Sequence, residues 1–181
     1  MTTAPDRPLL LLDVDGPLNP YGARLPQLRG YRTHRLHPSC WLSRQTPGSR
    51  PHRRGLRVYL NPAHGPRLRS LPYELAWATT WMNEANEMIA PAIGLPPDLP
   101  SIAWPELFAT DPDGLYWKTR PLLKWAAGRP FAWVDDMTTD LDETYVRDNH
   151  DSPALMVRVH PRRGLRETDF RKLTHWAATN T

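Results

Sequence analysis

The sequence predicts an α/β protein built on a doubly wound, Rossmann-like parallel sheet. The run Leu9–Leu12 is bounded by a proline and a glycine and has no polar alternation, which is typical of a strand buried on both faces. A second run of the same kind, 130–136, lies far along the chain. Because helical patterns separate these runs from two further apolar segments, 75–81 and 154–159, we expect about five strands with helices on both faces.

The first strand is followed by a long segment, 19–72, where a minimal fold of this type needs only a helix and two turns. Its first part is rich in Arg, His, Pro and Gly, and a strand-like run, 56–60, and a short helical pattern, 64–71, follow. We therefore expect a small cap insertion, mostly irregular with at most a β-hairpin.

The remaining segments complete the predicted sheet and its helices. Residues 84–93 predict a helix that ends at Gly94, and residues 100–113 form a proline-interrupted stretch with room for one short strand. A helix at 120–127 precedes the strand predicted at 130–136. A terminal helix begins near Thr168, with Phe170, Leu173 and Trp176 on one face.

The predicted strands at 9–12 and 130–136 both lead into paired carboxylates, Asp13 with Asp15 and Asp135 with Asp136. Ligands of open α/β sheets bind beyond the carboxyl ends of the strands. If the two strands are neighbours, these carboxylates converge, and they repel one another unless a cation such as Mg²⁺ lies between them. The plainer interpretation is that one aspartate caps a helix and the other is solvated.

Four short motifs follow one another along the chain. Asp13-Val14-Asp15-Gly16 is the first and Trp133-Val134-Asp135-Asp136 is the fourth. The second is a hydroxyl, Thr79 or Thr80, at the end of the run 75–81, and the third is Lys118, before the 120–127 helix. These motifs resemble those of the haloacid dehalogenase superfamily of phosphotransferases and occur in that family's order. The resemblance implies one catalytic domain, 1–181, with 19–72 as its cap region.

The resemblance assigns a role to each matching residue. It implies that Asp13 is the nucleophile that forms an aspartyl-phosphate, and that Asp15 is the general acid and base of a phosphatase. Thr79 and Lys118 would hold the phosphate oxygens. Mg²⁺ would be the cofactor, held by Asp13, the main-chain carbonyl of Asp15, Asp135 and Asp136.

Some assignments stay open at the level of sequence. Thr80 competes with Thr79, Lys124 competes with Lys118, and direct ligation by Asp135 is not separated from ligation by Asp136. Asp140 either extends the acidic site or, as we prefer, caps the segment 141–146. Pro17 stands where the family favours Thr or Val.

Length and composition are those of one soluble domain. The 181 residues include one cysteine, Cys40, and no stretch approaches the roughly 20 apolar residues of a membrane span. Residues 1–7 lack the apolar run of a secretory signal. We therefore expect a cytoplasmic protein without a membrane partner.

The expected substrate is a phosphorylated small molecule or a nucleotide. The insertion also carries a basic run, and with it nucleic acid is a second candidate partner; the residues are His34, Arg35, Arg44, Arg50, His52, Arg53, Arg54 and Arg57. Against this, the net charge is only +4. A catalytically silent binding or regulatory module of the same fold is the alternative function.

Overall fold

A computed structural model describes residues 7–180. In this part of the chain the strands are β1 (Leu9–Leu12), β2 (Arg32–Leu36), β3 (Leu56–Leu60), β4 (Glu74–Trp77), β5 (Phe131–Asp135) and β6 (Ala154–Arg158). The α-helices are α1 (Ser39–Leu42), α2 (Arg50–Arg54), α3 (His64–Arg69), α4 (Glu84–Met88), α5 (Ala90–Ile93), α6 (Thr119–Ala126), α7 (Asp140–Asn149) and α8 (Glu167–Thr179), and a 3₁₀ helix spans Leu25–Leu28.

The main sheet has four parallel strands in the order β4-β1-β5-β6. β1 is central, and Leu12 is in register with Trp77 of β4 and Val134 of β5. The residues that follow β1 and β5 therefore emerge side by side at the carboxyl edge of the sheet. The predicted α/β class with a parallel sheet is confirmed.

The leucine run divides its side chains between two cores because successive residues of a strand point to opposite faces. Leu10 and Leu12 pack with residues of α3, α4, α5 and α8. Leu9 and Leu11 pack with residues of α6 and α7. Both faces of the sheet are thus covered by helices, which explains why β1 shows no polar alternation.

Two predictions of regular structure were wrong in detail. The parallel sheet has four strands in the described residues, not about five: in the segment 100–113 only Ser101 forms an isolated bridge, with Trp77. Prolines at positions 100, 105 and 112 lack the backbone N–H that a strand ladder needs. The predicted helix 84–93 is two short helices, α4 and α5, with Pro91 in the first turn of the second.

The segment expected to be a cap contains a small antiparallel sheet. β2 and β3 pair from Arg32↔Leu60 to Leu36↔Leu56, with α1 and α2 in the connection between them. Val58 and Leu60 of β3 are fully buried in the core that includes Leu10 and Leu12. The hairpin is therefore anchored on the main sheet. Among the described residues, no helix combines the length and apolar character needed to cross a membrane.

Candidate active site

Lys118 is the centre of a buried ion network at the carboxyl edge of the sheet. Its Nζ lies 2.9 Å from Asp13 Oδ2 and 2.9 Å from Asp135 Oδ2, and it donates a 2.9 Å hydrogen bond to the Ala78 carbonyl. The side chain is only 1% exposed. One ammonium thus joins the ends of β1, β5 and β4.

A second buried carboxylate positions Lys118. Asp142 of α7 accepts hydrogen bonds at Oδ1 from the Tyr116 N–H and the Thr119 hydroxyl, which flank Lys118 in the chain. Its Oδ2 accepts from the N–H and the hydroxyl of Thr139, at the start of α7. Asp142 therefore locks the beginnings of α6 and α7 together and fixes the direction from which Lys118 enters the site.

Three carboxylates form a candidate metal centre. Asp13, Asp135 and Asp136 each present an oxygen, and these oxygens lie within 4.8 Å of one another. Within residues 7–180, Lys118 is the one ammonium paired with this group, so its charge balances only part of theirs. An all-oxygen, multiply charged donor set is what Mg²⁺ binds in proteins. The residues present therefore fit the predicted cofactor.

Burial and mutual repulsion shift the ionisation of this network. Burial raises the pKa of Asp135, against the opposing effect of Lys118, and burial also raises the pKa of Asp136. For Lys118, burial lowers the pKa, but the charges of Asp13 and Asp135 together raise it above its usual value. The lysine is therefore cationic throughout the neutral range, and a divalent cation would favour the charged forms of the carboxylates.

Asp15 has different surroundings from Asp13. Its Oδ1 accepts a 2.7 Å hydrogen bond from Asn19 Nδ2, and its Oδ2 accepts a 2.9 Å bond from the Trp81 indole N–H. Burial and the neighbouring charge of Asp13 raise the pKa of Asp15 to about 6. A carboxyl group that titrates near neutrality is suited to both donating and accepting a proton.

The turn after Asp15 depends on Gly16. Its φ is +93°, and a Cβ at this position would lie 2.6 Å from the Asp136 Cβ. The Gly16 N–H donates to the Asn19 carbonyl. Pro17, the departure from the family pattern, accepts the Leu165 N–H at its carbonyl and so ties this turn to the loop before α8. The turn is compact because no side chain separates it from Asp136.

The carboxylates open onto a cavity of about 610 Å³. Asp13, Asp15, Asp136, Lys118 and Thr80 are among the residues that line its acidic end. A second part of the lining, the aromatic wall, consists of aromatic and basic side chains from the insertion and from the loop before α6; these are Tyr21, Trp41, Arg44, Arg57, Phe108 and Trp117. The Tyr21 hydroxyl connects the two regions by donating a 2.8 Å hydrogen bond to Asp136.

The structure separates several residues that the sequence left as alternatives. Lys124 lines a different cavity, beside Ile102 and Pro105, whereas Lys118 pairs with Asp13 and Asp135. Thr79 is fully buried, with its hydroxyl 3.4 Å from the Trp81 N–H, whereas Thr80 lines the cavity.

Asp140 belongs neither to the acidic site nor to a helix cap. It is exposed and paired with Arg158, and the N-cap of α7 is Thr139, whose hydroxyl accepts the Asp142 N–H. The preferred prediction of Asp140 as a cap was wrong by one residue. The threonine before it offers a hydroxyl acceptor, which is also a favoured N-cap group.

Sequence reasoning missed three residues that shape the site: Asn19, Trp81 and Asp142. Each makes a contact with a residue distant in the sequence, such as the bond from Trp81 to Asp15 across 66 positions. Only Asp142 leaves a local signal, since Thr139 and Asp142 form a capping box at the start of α7.

No known family model matches this chain, and neither a curated protein nor a solved structure resembles it at a significant level. The resemblance to the haloacid dehalogenase superfamily therefore rests on the four motifs and on the placement of their residues.

Proposed function

We propose that this protein is a Mg²⁺-dependent phosphomonoester hydrolase of the haloacid dehalogenase type. The observation that carries the proposal is the convergence of Asp13, Asp135 and Asp136 around a buried Lys118, with a separately held Asp15 beside them. A nucleophile, an acid with a raised pKa and a charge-neutralising group are the parts that phosphoryl transfer through a covalent intermediate needs.

Asp13 attacks the phosphorus, and the bond from phosphorus to the ester oxygen breaks. Asp15 donates its proton to the leaving alkoxide, so that an alcohol departs and an aspartyl-phosphate remains on Asp13. Asp15, now a carboxylate, takes a proton from water, which attacks the phosphorus and releases inorganic phosphate. The Asp13 carboxylate and the protonated Asp15 are thereby regenerated.

Lys118 offsets negative charge next to the attacking carboxylate. A threonine hydroxyl after β4 would donate to a phosphate oxygen: the resemblance implies Thr79, whereas Thr80 is the threonine that lines the cavity. Asp13, Asp135 and Asp136, with the main-chain carbonyl of Asp15, would hold Mg²⁺, which supplies charge neutralisation for the phosphoryl group.

The test is hydrolysis of p-nitrophenyl phosphate with and without Mg²⁺. Asp13→Asn removes the nucleophile at nearly constant shape, so we expect turnover to be lost, while Asp140→Asn, an exposed control, keeps the wild-type rate. Undiminished hydrolysis by Asp13→Asn would contradict the mechanism. A wild-type protein that binds Mg²⁺ but hydrolyses no phosphomonoester would be the silent binding module.

The proposed substrate is a phosphorylated small molecule or a nucleotide. A terminal phosphate on RNA or DNA is a second candidate, because Arg57 of the β2–β3 hairpin lines the cavity and two further arginines of the hairpin, Arg32 and Arg35, are exposed. Binding of a short oligonucleotide at two salt concentrations tests this candidate: the affinity should fall steeply with salt, and salt-independent or absent binding would remove nucleic acid.

A further inference from the structure

The wall of the catalytic cavity carries chemistry that the phosphoryl-transfer step does not use. We propose that this wall binds a nucleobase, so that the substrate is a phosphomonoester borne by a nucleoside. The proposal rests on the proposed function and specifies which leaving group the site selects.

Aromatic side chains are concentrated and accessible on this wall. Tyr21 is 53% exposed and Phe108 is 51% exposed, and Trp41 and Trp117 also line the cavity. Phe108 contacts Trp117, with ring centroids 5.3 Å apart. Since large apolar side chains are normally buried, a cluster that faces an acidic catalytic centre indicates a recognition surface.

Phe108 is held in an unfavourable conformation. Its φ is +61°, in the left-handed region that bulky residues rarely adopt. The surrounding loop therefore holds a half-exposed ring in place at a local conformational cost. Such strain is found preferentially at functional sites, where a side chain must be presented in one direction.

Two arginines add positive charge to the same wall. The Arg44 guanidinium lies 4.5 Å from the centroid of the Phe108 ring. Neither Arg44 nor Arg57 has an ion pair among residues 7–180, although both line the cavity. A guanidinium plane beside aromatic rings is a stacking surface for a nucleobase, and the unpaired charge favours an anionic ligand.

The cavity has the size and layout that such a substrate requires. Its volume of about 610 Å³ falls within the range of sites for small organic ligands. Its aromatic groups begin directly beside the acidic ones: the Tyr21 hydroxyl bonds to Asp136, and Lys118 Nζ lies 5.8 Å from the centroid of the Trp117 ring. A nucleoside monophosphate likewise joins a phosphate to a flat ring through one sugar.

The test compares kcat/KM for adenosine 5′-monophosphate and for glycerol phosphate. We expect the wild type to prefer the nucleotide and Phe108→Ala to reduce that preference by at least about fivefold, the loss expected when a stacking partner is removed. Arg44→Ala should act in the same direction. Arg69→Ala is a matched charge control on α3, outside the cavity, and should keep the wild-type preference.

A binding measurement separates this proposal from the proposed function. In Asp13→Asn, adenosine 5′-monophosphate should quench the fluorescence of the cavity tryptophans and bind at least about fivefold more tightly than glycerol phosphate; Phe108→Ala should reduce the difference. If neither phosphate is hydrolysed but this binding is seen, phosphatase function fails and the nucleobase site stands. If both are hydrolysed with equal kcat/KM, or if Phe108→Ala lowers both equally, the nucleobase site is overturned and phosphatase function stands.

A 5′-phosphorylated dinucleotide distinguishes two sources of the same ligand. A higher kcat/KM for the dinucleotide than for adenosine 5′-monophosphate would support a strand terminus as the source of the nucleoside. The reverse order would support a free nucleotide. Failure to accept either one, in an enzyme that hydrolyses glycerol phosphate, would overturn the proposal.

Discussion

The acidic end and the aromatic wall of the cavity are built in different ways. At the acidic end, Asp13, Lys118 and Asp135 are between 0% and 5% exposed and each is paired. On the aromatic wall, Tyr21 and Phe108 are about half exposed, and the arginines lack ion pairs among the described residues. The carboxylates of the acidic end lie at the ends of parallel strands, whereas the aromatic wall comes from the insertion, including α1 and β3, and from the loop before α6.

This difference indicates which residues determine the stability of the fold and which determine substrate specificity. A buried charge network loses much when one member is removed, because the remaining charges stay buried without a partner. An exposed side chain on a connecting segment loses only its own contacts. We therefore expect substitutions at the acidic end to affect stability and turnover together, and substitutions on the wall to affect mainly substrate choice.

The largest effect is expected for Lys118→Met, which leaves Asp13 and Asp135 buried together without an ammonium. The free energy of unfolding without Mg²⁺ should fall by about 3–5 kcal/mol, and p-nitrophenyl phosphate hydrolysis should be lost. Lys124→Met, within the α6 helix that Lys118 precedes, is the control and should change stability by about 0.5 kcal/mol or less. Denaturant unfolding measures the free energy of unfolding of both variants. An equal loss of stability in the two would contradict the proposed role of Lys118 in neutralising buried carboxylates.

Gly16→Ala tests the close approach of the first turn to Asp136. The new Cβ would overlap the Asp136 side chain, so the cost should exceed the backbone cost of a positive φ by about 1–3 kcal/mol. Gly128→Ala is the matched control: its φ is +80° and no atom lies within 4 Å of the added Cβ. The two variants should differ in unfolding free energy and in hydrolysis. Indistinguishable variants would contradict the packing described here.

Mg²⁺ should stabilise the folded protein by relieving repulsion among the three carboxylates. At a concentration 100-fold above Kd the expected gain is about 2.7 kcal/mol, measured as a rise in Tm that EDTA reverses. Asp135→Asn should lose most of this rise, and Asp140→Asn should retain it. A Tm that does not respond to Mg²⁺ would argue against a metal centre at this edge.

The smallest effect is expected at the wall. Tyr21→Phe removes the hydrogen bond to Asp136 and should cost about 1 kcal/mol or less in stability, with kcat changed less than about threefold. Thermal unfolding and steady-state kinetics check this. A loss of turnover comparable with that of Lys118→Met would contradict the expected difference between the acidic end and the aromatic wall.

Much of the fold could be predicted because its signals are local. The leucine run and the acid-tipped 130–136 segment gave the central strands, and parallel strand ends bring Asp13 and Asp135 together whatever the loops do. The number of strands could not be predicted. An isolated bridge, such as that of Ser101 with Trp77, and a full strand ladder differ in how many residues pair with a segment distant in the sequence.

The choice between Lys118 and Lys124 illustrates the remaining limit. Lys118 immediately precedes α6, and Lys124 lies within this helix, six positions later. Six residues are not a whole number of helical turns. They therefore point to different sides of α6, and only the packing of that helix decides which side meets the acids. The pairing of insertion residues with the loop before α6 in the aromatic wall could not be predicted for a similar reason, since Arg44 and Phe108 are 64 positions apart and meet only in the folded chain.

The most direct test of the central claim is chemical trapping of the intermediate. Borohydride reduces an acyl phosphate, so an aspartyl-phosphate is converted to homoserine, which mass spectrometry locates in the sequence. We predict homoserine at Asp13 only, formed when substrate and Mg²⁺ are both present and absent from Asp13→Asn. Continued turnover with no homoserine at Asp13, or homoserine at another aspartate, would contradict the account.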